Sequence, residues 1–448
     1  MRTINTKSIN NFPVLMLKLI KNSVLLFCFL AVNLIFAQEN TIGLEESKQA
    51  ALNYSNDIKT GKLRVEEAEA AKKEAFANYF PSVDATGVGL YGFNDLISPL
   101  PGLLDEGIGN LYFAGATASE VLYAGGNINN YNKMADVQVE VNNIRAGQAR
   151  DSVLLVTEQK YWGLVQLQEE QEVLESTKAY LDQLLKQQQD LLDAGLIARN
   201  DLLRVKVQRS QVLLQKSKLQ NAHKIALLDF VLYTGIEYDT AMVAGDRFPE
   251  VTPPELKYSK PNLSLNNNSN YQLVEQSVTA AELQTKVSRA ELLPSVSVGV
   301  SASQFGSFDG SFDSNFVPVA FGMVSIPISD WWGAGRQKIK QQEIREEIAL
   351  NSLKDVEDQL KMVILKSWYD LIDAYKQINY STENQELAEE NLQITRDNFD
   401  SGLNNLSDLM DAQRMYQEAQ TEMVKAFASY QEKEGIYLFH IGQKGPTN

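Results

Sequence analysis

Asp193-Ala194-Gly195-Leu196-Ile197-Ala198-Arg199-Asn200-Asp201-Leu202 and Asp400-Ser401-Gly402-Leu403-Asn404-Asn405-Leu406-Ser407-Asp408-Leu409 stand 207 positions apart and follow one pattern: Asp, any residue, Gly-Leu, four residues, Asp-Leu. The same offset pairs Tyr161-Trp162 with Trp368-Tyr369, Leu164 with Leu371, and Gly235 with Gly442. Val205, Val212 and Leu219, seven residues apart, fall on Ala412, Ala419 and Ala426. Phe80-Pro81-Ser82-Val83 matches Leu293-Pro294-Ser295-Val296 at a slightly different offset, as unequal loops would produce. One coincidence would mean little; this many in one order indicate a duplication, and a duplication decides the architecture.

Working outward from the two turns, each half has the same plan. A helical stretch, about 44–79 and 270–293, ends at a proline that cannot continue it. Two strand-like segments follow, then a very long helical stretch (127–193 and 335–400), the turn, and a returning helix (201–233 and 408–440). About 66 residues at 1.5 Å each give a helix of roughly 100 Å, far beyond the usual globular length. Leu167, Leu174 and Leu181 recur every seven residues, as do Leu184 and Leu191, the spacing of helices paired as a coiled coil. Glu169, Glu170, Gln171, Gln187, Gln188 and Gln189 lie between them and are expected in water. The chain thus divides into a leader at 1–37, a first repeat at 38–236, a linker rich in proline and asparagine at 237–269, and a second repeat at 270–448.

The strands set the assembly. After Pro294, Val296, Val298 and Val300 alternate with Ser295, Ser297 and Ser301, the dyad pattern of a membrane barrel strand with its apolar side outward. The segment after Pro81 alternates less cleanly, and the returning strands near 111–122 and 316–328 less again. Tyr79, Phe80, Trp331 and Trp332 sit at the helix-proximal strand ends; they fit a headgroup girdle and equally fit a packed strand-to-helix corner. Four strands of 10–12 residues can cross a bilayer when tilted but cannot close a barrel. An open edge in lipid leaves unpaired backbone groups, each costing several kcal/mol, and single-chain barrels begin at eight strands. Several copies must therefore share one barrel. The competing reading is a non-conducting periplasmic coiled-coil tether capped by a small soluble sheet.

Residues 1–37 carry Arg2, Lys7, Lys18 and Lys21 with no acid, then an apolar run from Val24 to Phe36 and Ala37 before Gln38, the form of a cleaved export signal. Met16 starts a shorter version of it. Cys28, the single cysteine, lies inside, and Phe27 before it does not suit a lipid anchor. The net charge of -16 becomes about -20 once those four bases are removed. That acidity argues against nucleic acid as a partner. With two histidines, His223 and His440, each expected as a satisfied packing residue, no mature cysteine and no phosphate loop, neither an enzyme nor a cofactor is expected.

The duplicated helix–Pro–strand–strand–long-helix plan and the twin Gly-Leu-x4-Asp-Leu turns resemble the TolC-type outer-membrane efflux proteins over the whole mature chain. The resemblance implies a mixed α and β fold: long antiparallel α-helical coiled-coil hairpins and four transmembrane strands per protomer, three copies forming a 12-stranded barrel above a periplasmic α-barrel. It implies an outer-membrane location reaching into the periplasm, a periplasmic adaptor, and an inner-membrane pump of RND or ABC type, for small-molecule efflux or type I secretion. Loops near 94–110 and 307–315 then face outside, and the turns at 194–200 and 401–407 face the periplasm.

By the same resemblance, Gly195, Leu196, Gly402 and Leu403 dock the adaptor. Glycine also ends a helix at positive φ, with Asn200, Asp201, Ser407 and Asp408 capping the next. Asp408 and Asp411 share a helix face and match an acidic pair that rings the channel entrance in the family; a helix N-terminus favouring acids explains Asp408 as well. The first repeat has Arg204 where Asp411 would stand. Some members latch the entrance with a basic residue where this chain has Asn404, so a charged latch is not expected there, although Asp201, its usual kind of partner, remains.

Overall fold

The protein is described by a computed structural model over residues 41–94, 96, 107–258, 260–308 and 313–443. The leader with Cys28, and parts of both strand–strand loops expected to face outside, lie outside the described residues. In chain order the elements are β1 (Thr41–Ile42), α1 (Leu44–Tyr54), α2 (Asn56–Ala77), β2 (Ser82–Tyr91), β3 (Asn110–Ala124), α3 (Asn127–Asp193), α4 (Arg199–Thr234), β4 (Val243–Ala244), α5 (Pro254–Tyr258), α6 (Ser269–Ala290), β5 (Ser295–Gly306), β6 (Asn315–Ser325), α7 (Ala334–Asp400) and α8 (Leu406–His440). The sequence α2-β2-β3-α3-α4 recurs as α6-β5-β6-α7-α8, and α3 and α7 both run 67 residues. The expected single helix over 44–79 is two, separated at Ser55, which leaves helical geometry at φ -52, ψ 127. Among the described residues no helix is long and apolar enough to cross a membrane.

The chain forms two compact units, one of residues up to 55, 153–259 and 370–435, the other of 56–152, 260–369 and from 436 on. The second holds a four-stranded antiparallel sheet in the order β2-β3-β5-β6. Strands of different repeats thus meet at its centre, while β2 and β6 are edges. Pro81 and Pro294 stand just before β2 and β5. Because direct partners share a face, register assigns the sides. Val296, Val298 and Val300 lie with Val324, Gly322 and Ala320, and with Val83 and Ala85 through Ala118 and Ala116. On β6 the pattern departs from an apolar outward side: Val317, Val319, Phe321 and Met323 stand on the serine face.

In the first unit β1 pairs in parallel with β4, so the segment after α4 is tied to the start of the described chain. Tyr161 is fully buried in the adjoining core with Trp162, Leu164, Leu227 and Phe230. Its hydroxyl lies 2.6 Å from Asp246 Oδ2 and 3.0 Å from the Ile42 carbonyl; burial, then the Asp246 carboxylate, push its pKa up.

The two helical hairpins keep together by different means. Between α3 and α4, Leu174, Leu181 and Val212 form the apolar seam, and Lys160–Asp229, Glu175–Lys216 and Asp182–Arg209 bridge the helices. Between α7 and α8, Gln377 donates to Glu422 at 3.2 Å and Tyr375 meets Tyr430 edge-on. This antiparallel level sets Ala374, Ser381 and Ala388 opposite Ala426, Ala419 and Ala412, all buried. Small residues on both sides let helix axes approach closely. Contrary to the expectation that it faces water, Gln188 is buried and its Nε2 has no partner. His440 likewise differs from a satisfied packing histidine. Its Nδ1 is buried and unpartnered, and burial, followed by Lys366, lowers its pKa.

Candidate functional site: the hairpin turns and the open edges

Both turns are built by the same local chemistry. Gly195 and Gly402 sit at φ 73 and 75, the left-handed region open to glycine. Gly195 N–H donates to the Leu192 carbonyl and Leu196 N–H to the Leu191 carbonyl, each at 2.9 Å; Gly402 and Leu403 repeat this on Phe399 and Asn398. These paired bonds close the helix end in a Schellman motif. The residue after the glycine commonly covers the side chain five before it, but for Leu403 that residue is the polar Asn398. Leu196 and Leu403 are 71% and 77% exposed. Capping therefore accounts for the glycines and leaves two apolar side chains bare.

The caps of the returning helices differ from those expected. Helix α4 begins after Ala198, which makes no side-chain cap, so Asn200 and Asp201 already lie in its first turn. Helix α8 is capped by Asn405 rather than Ser407: Asn405 Oδ1 accepts from Asp408 N–H at 3.1 Å, and Asp408 Oδ2 accepts from Asn405 N–H at 3.3 Å. This reciprocal capping box gives Asp408 a structural task. It was legible in the sequence as Asn-x-x-Asp. Asp411 has no such task; its side chain is 70% exposed and 3.7 Å from Arg414, which also bonds Glu418. Asn404 is half-buried and its N–H bonds the Asn398 carbonyl at 3.3 Å.

Around the turns the two repeats are joined. Leu184, Val205, Leu406 and Leu409 form one buried cluster. Arg204 Nη1 donates to Ser407 Oγ at 2.8 Å, and the Arg396 guanidinium lies 4.9 Å from the Tyr180 ring centre. A groove of about 610 Å³ opens beside them, lined by Tyr180, Gln187, Asp190, Arg396 and Asp400 among others. Arg204 was visible in the sequence only as the residue replacing an acid. Its link to Ser407 needed the fold.

At the strand ends, Trp331 Nε1 donates to the Leu292 carbonyl at 2.8 Å, while Tyr79 and Phe80 pack edge-on against Phe76. Trp332 is 70% exposed. Trp331 thus serves the corner, and Trp332 has a face left over. Two helices also leave exposed apolar rows: Leu203, Val207, Leu214, Ile225 and Leu232 on α4, and Met362, Tyr369, Tyr380, Leu387 and Ile394 on α7, the latter spaced by seven or eleven residues, two or three helical turns. Among the described residues no cluster of three or more metal-ligating side chains occurs.

The site thus presents long paired hairpins ending in bare leucines, a four-strand sheet with two free edges and exposed apolar rows on two helices. Over residues 48–235 and 261–435 the chain matches the family described as Outer membrane efflux protein. It belongs to the outer membrane efflux protein family, and its place is the outer membrane, reaching into the periplasm. Among solved structures it is similar to VceC, an outer membrane protein of Vibrio cholerae, at 15% identity and a TM-score of 0.75, covering 89% of this chain and 96% of that one. The CmeC outer membrane channel of Campylobacter jejuni gives 16% and 0.72 over 89% and 85%. The open-state MtrE outer membrane channel of Neisseria gonorrhoeae gives 14% and 0.71 over 89% and 88%. At such identities the likeness is one of fold. No curated protein sequence matches the chain.

Proposed function

We propose that three copies of this chain close one 12-stranded barrel in the outer membrane over a shared helical tube, and that the tube is a passive exit duct for cargo from an inner-membrane pump joined through a periplasmic adaptor. The observation that carries this reading is the sheet with two free edges, β2 and β6. In lipid each unpaired backbone group costs several kcal/mol, and pairing β6 with the next copy's β2 removes both edges at once. The exposed rows on α4 and α7 support it, since long apolar seams bury against partner helices. Ring closure through two different faces also fits a heterologous interface.

Leu196 and Leu403 serve as apolar docking points for the adaptor, held out on their glycine turns. Asp411, with Asp408 beside it, supplies carboxylates at the entrance, where like charges repel one another and attract cations. Asp201 and Asn404 line the same turns. Tyr79, Phe80, Trp331 and Trp332 belong at the lipid interface, Trp332 by its exposure. No catalytic step belongs to the chain; the pump supplies the energy.

The test is purification of the mature chain in detergent, with electrophoresis without heating and reconstitution into planar bilayers. A heat-sensitive oligomer of three chain masses that conducts ions is the expected result. A water-soluble monomer that conducts nothing would refute the duct and favour a periplasmic tether.

A further inference from the structure

Beyond the last strand the chain changes character in a fixed order. Strand β6 has 11 residues, the length a tilted strand needs to cross the hydrocarbon core. After Ser325 come the exposed aliphatics Ile326 and Ile328, then Trp331 and Trp332, then Arg336 and Lys340. Residues 328–342 hold Arg336, Lys338 and Lys340 against one acid, Asp330, in a chain whose net charge is -16. Bases gathered at one place in so acidic a chain need a local cause.

Packing explains some of them. Lys338 pairs with Glu291, and Arg289 with Glu343 at 2.8 Å, two bridges that tie α6 to the start of α7. Arg336 and Lys340 are exposed and make no ion pair among the described residues. Four residues apart, they share one face of α7. The helix itself does not call for them, since its first turns favour acids. The other edge strand repeats the order in reverse. Lys73, exposed and without an ion pair, precedes the exposed Phe76, Tyr79 and Phe80, which lead into β2. At both edges an unpaired base thus lies on the helix side of exposed aromatics.

We propose that Trp332, Arg336 and Lys340 form a site for an anionic phospholipid of the leaflet nearest the helices, with the indole at the acyl–headgroup boundary and both bases on the phosphate. The inference rests on the outer-membrane duct reading and adds a lipid partner to it. The patch is continuous with the strand that lies in the membrane. Arg336 and Lys340 lie about 3 and 9 Å along the helix from Ala334. Their long side chains reach a headgroup layer about 5–8 Å deep. A guanidinium grips two phosphate oxygens at once and an ammonium adds a point charge. A zwitterionic headgroup carries its own cation beside the phosphate and competes with both. An anionic one leaves the phosphate to the protein.

The probe is quenching of tryptophan fluorescence in the reconstituted mature channel by phosphatidylglycerol and by phosphatidylcholine, each with brominated acyl chains. Trp162 and Trp368 are buried, so Trp331 and Trp332 carry the quenching. In mixed bilayers the native channel prefers phosphatidylglycerol by at least about tenfold, the effect of two bases beside an anionic headgroup. In R336Q/K340Q that preference falls to within about threefold, while quenching in pure brominated phosphatidylcholine is unchanged. Should the double variant fail to assemble, R336Q alone carries the test with a smaller drop in the same direction. Equal preference in native and variant channels overturns the site. So does a conducting native channel whose tryptophans neither lipid quenches, the mark of a neighbouring copy or another protein covering the patch. A native chain that neither conducts nor is quenched instead refutes the duct reading.

Discussion

Replacing Ala419 by leucine perturbs the seam that distinguishes the second hairpin. Ala419 is 3% exposed and stands at the level of Ser381, itself 6% exposed, with Ala412 and Ala426 one heptad to either side. Three added carbons have no room where both helices present small side chains. Forcing extra methylenes into a filled core costs about 1–3 kcal/mol. That lowers the local opening free energy of α7 and α8 by the same amount, so their amide exchange accelerates roughly 5- to 150-fold. The matched control is Val212→Leu, at the repeat-equivalent position against Leu174 and Leu181; it adds one carbon to a seam of large side chains and costs below about 1.5 kcal/mol. Hydrogen exchange read by mass spectrometry, peptide by peptide across 370–430 and 170–220, separates the two. The close-seam reasoning is refuted if A419L leaves exchange in α7 and α8 unchanged, or if V212L has the larger effect.

Asp411→Asn reduces cation over anion selectivity in planar bilayers without loss of thermal stability, whereas Asp408→Ala also removes the acceptor of the Asn405 N–H bond and weakens the α8 cap by about 0.5–1.5 kcal/mol; unchanged ion preference in both removes them from the entrance. Leu196→Glu with Leu403→Glu abolishes export in cells while the unheated trimer band remains; surviving export excludes them as docking points. Arg204→Ala removes the hydrogen bond to Ser407, an exposed contact worth about 0.5–1.5 kcal/mol, and raises the resting conductance measured at low voltage. Arg209 holds the Asp182 carboxyl below its ordinary pKa of 3.8, and Lys216 holds Glu175 below 4.5. Their stabilisation of the first hairpin is present above those ordinary values and is lost as pH falls through the lower folded ones. Exchange in α3 and α4 therefore rises at pH 3 relative to pH 5, and R209Q flattens that rise.

Much of this was written along the chain. Periodicity, the paired prolines and the repeated turns located both 67-residue helices to within a residue, because a heptad row and a glycine stop are local signals. Ser55 escaped because a break in a helix of ordinary composition has no strong local mark. The caps shifted to Ala198 and Asn405 because a cap depends on where the first helical residue falls, and boundaries are set by tertiary contacts as much as by residue type.

The duplication and the strand count by themselves pointed to a two-repeat chain with four strands, too few to satisfy their backbone in lipid whatever their exact register. Which side chains share a face could not follow from one strand alone. Pairing places Val319 and Phe321 among serines and threonines, and a shift of one residue would move every side chain of β6 to the other face. Arg204 reaching Ser407 is likewise a product of packing between segments some 200 residues apart, which no periodicity within one segment encodes.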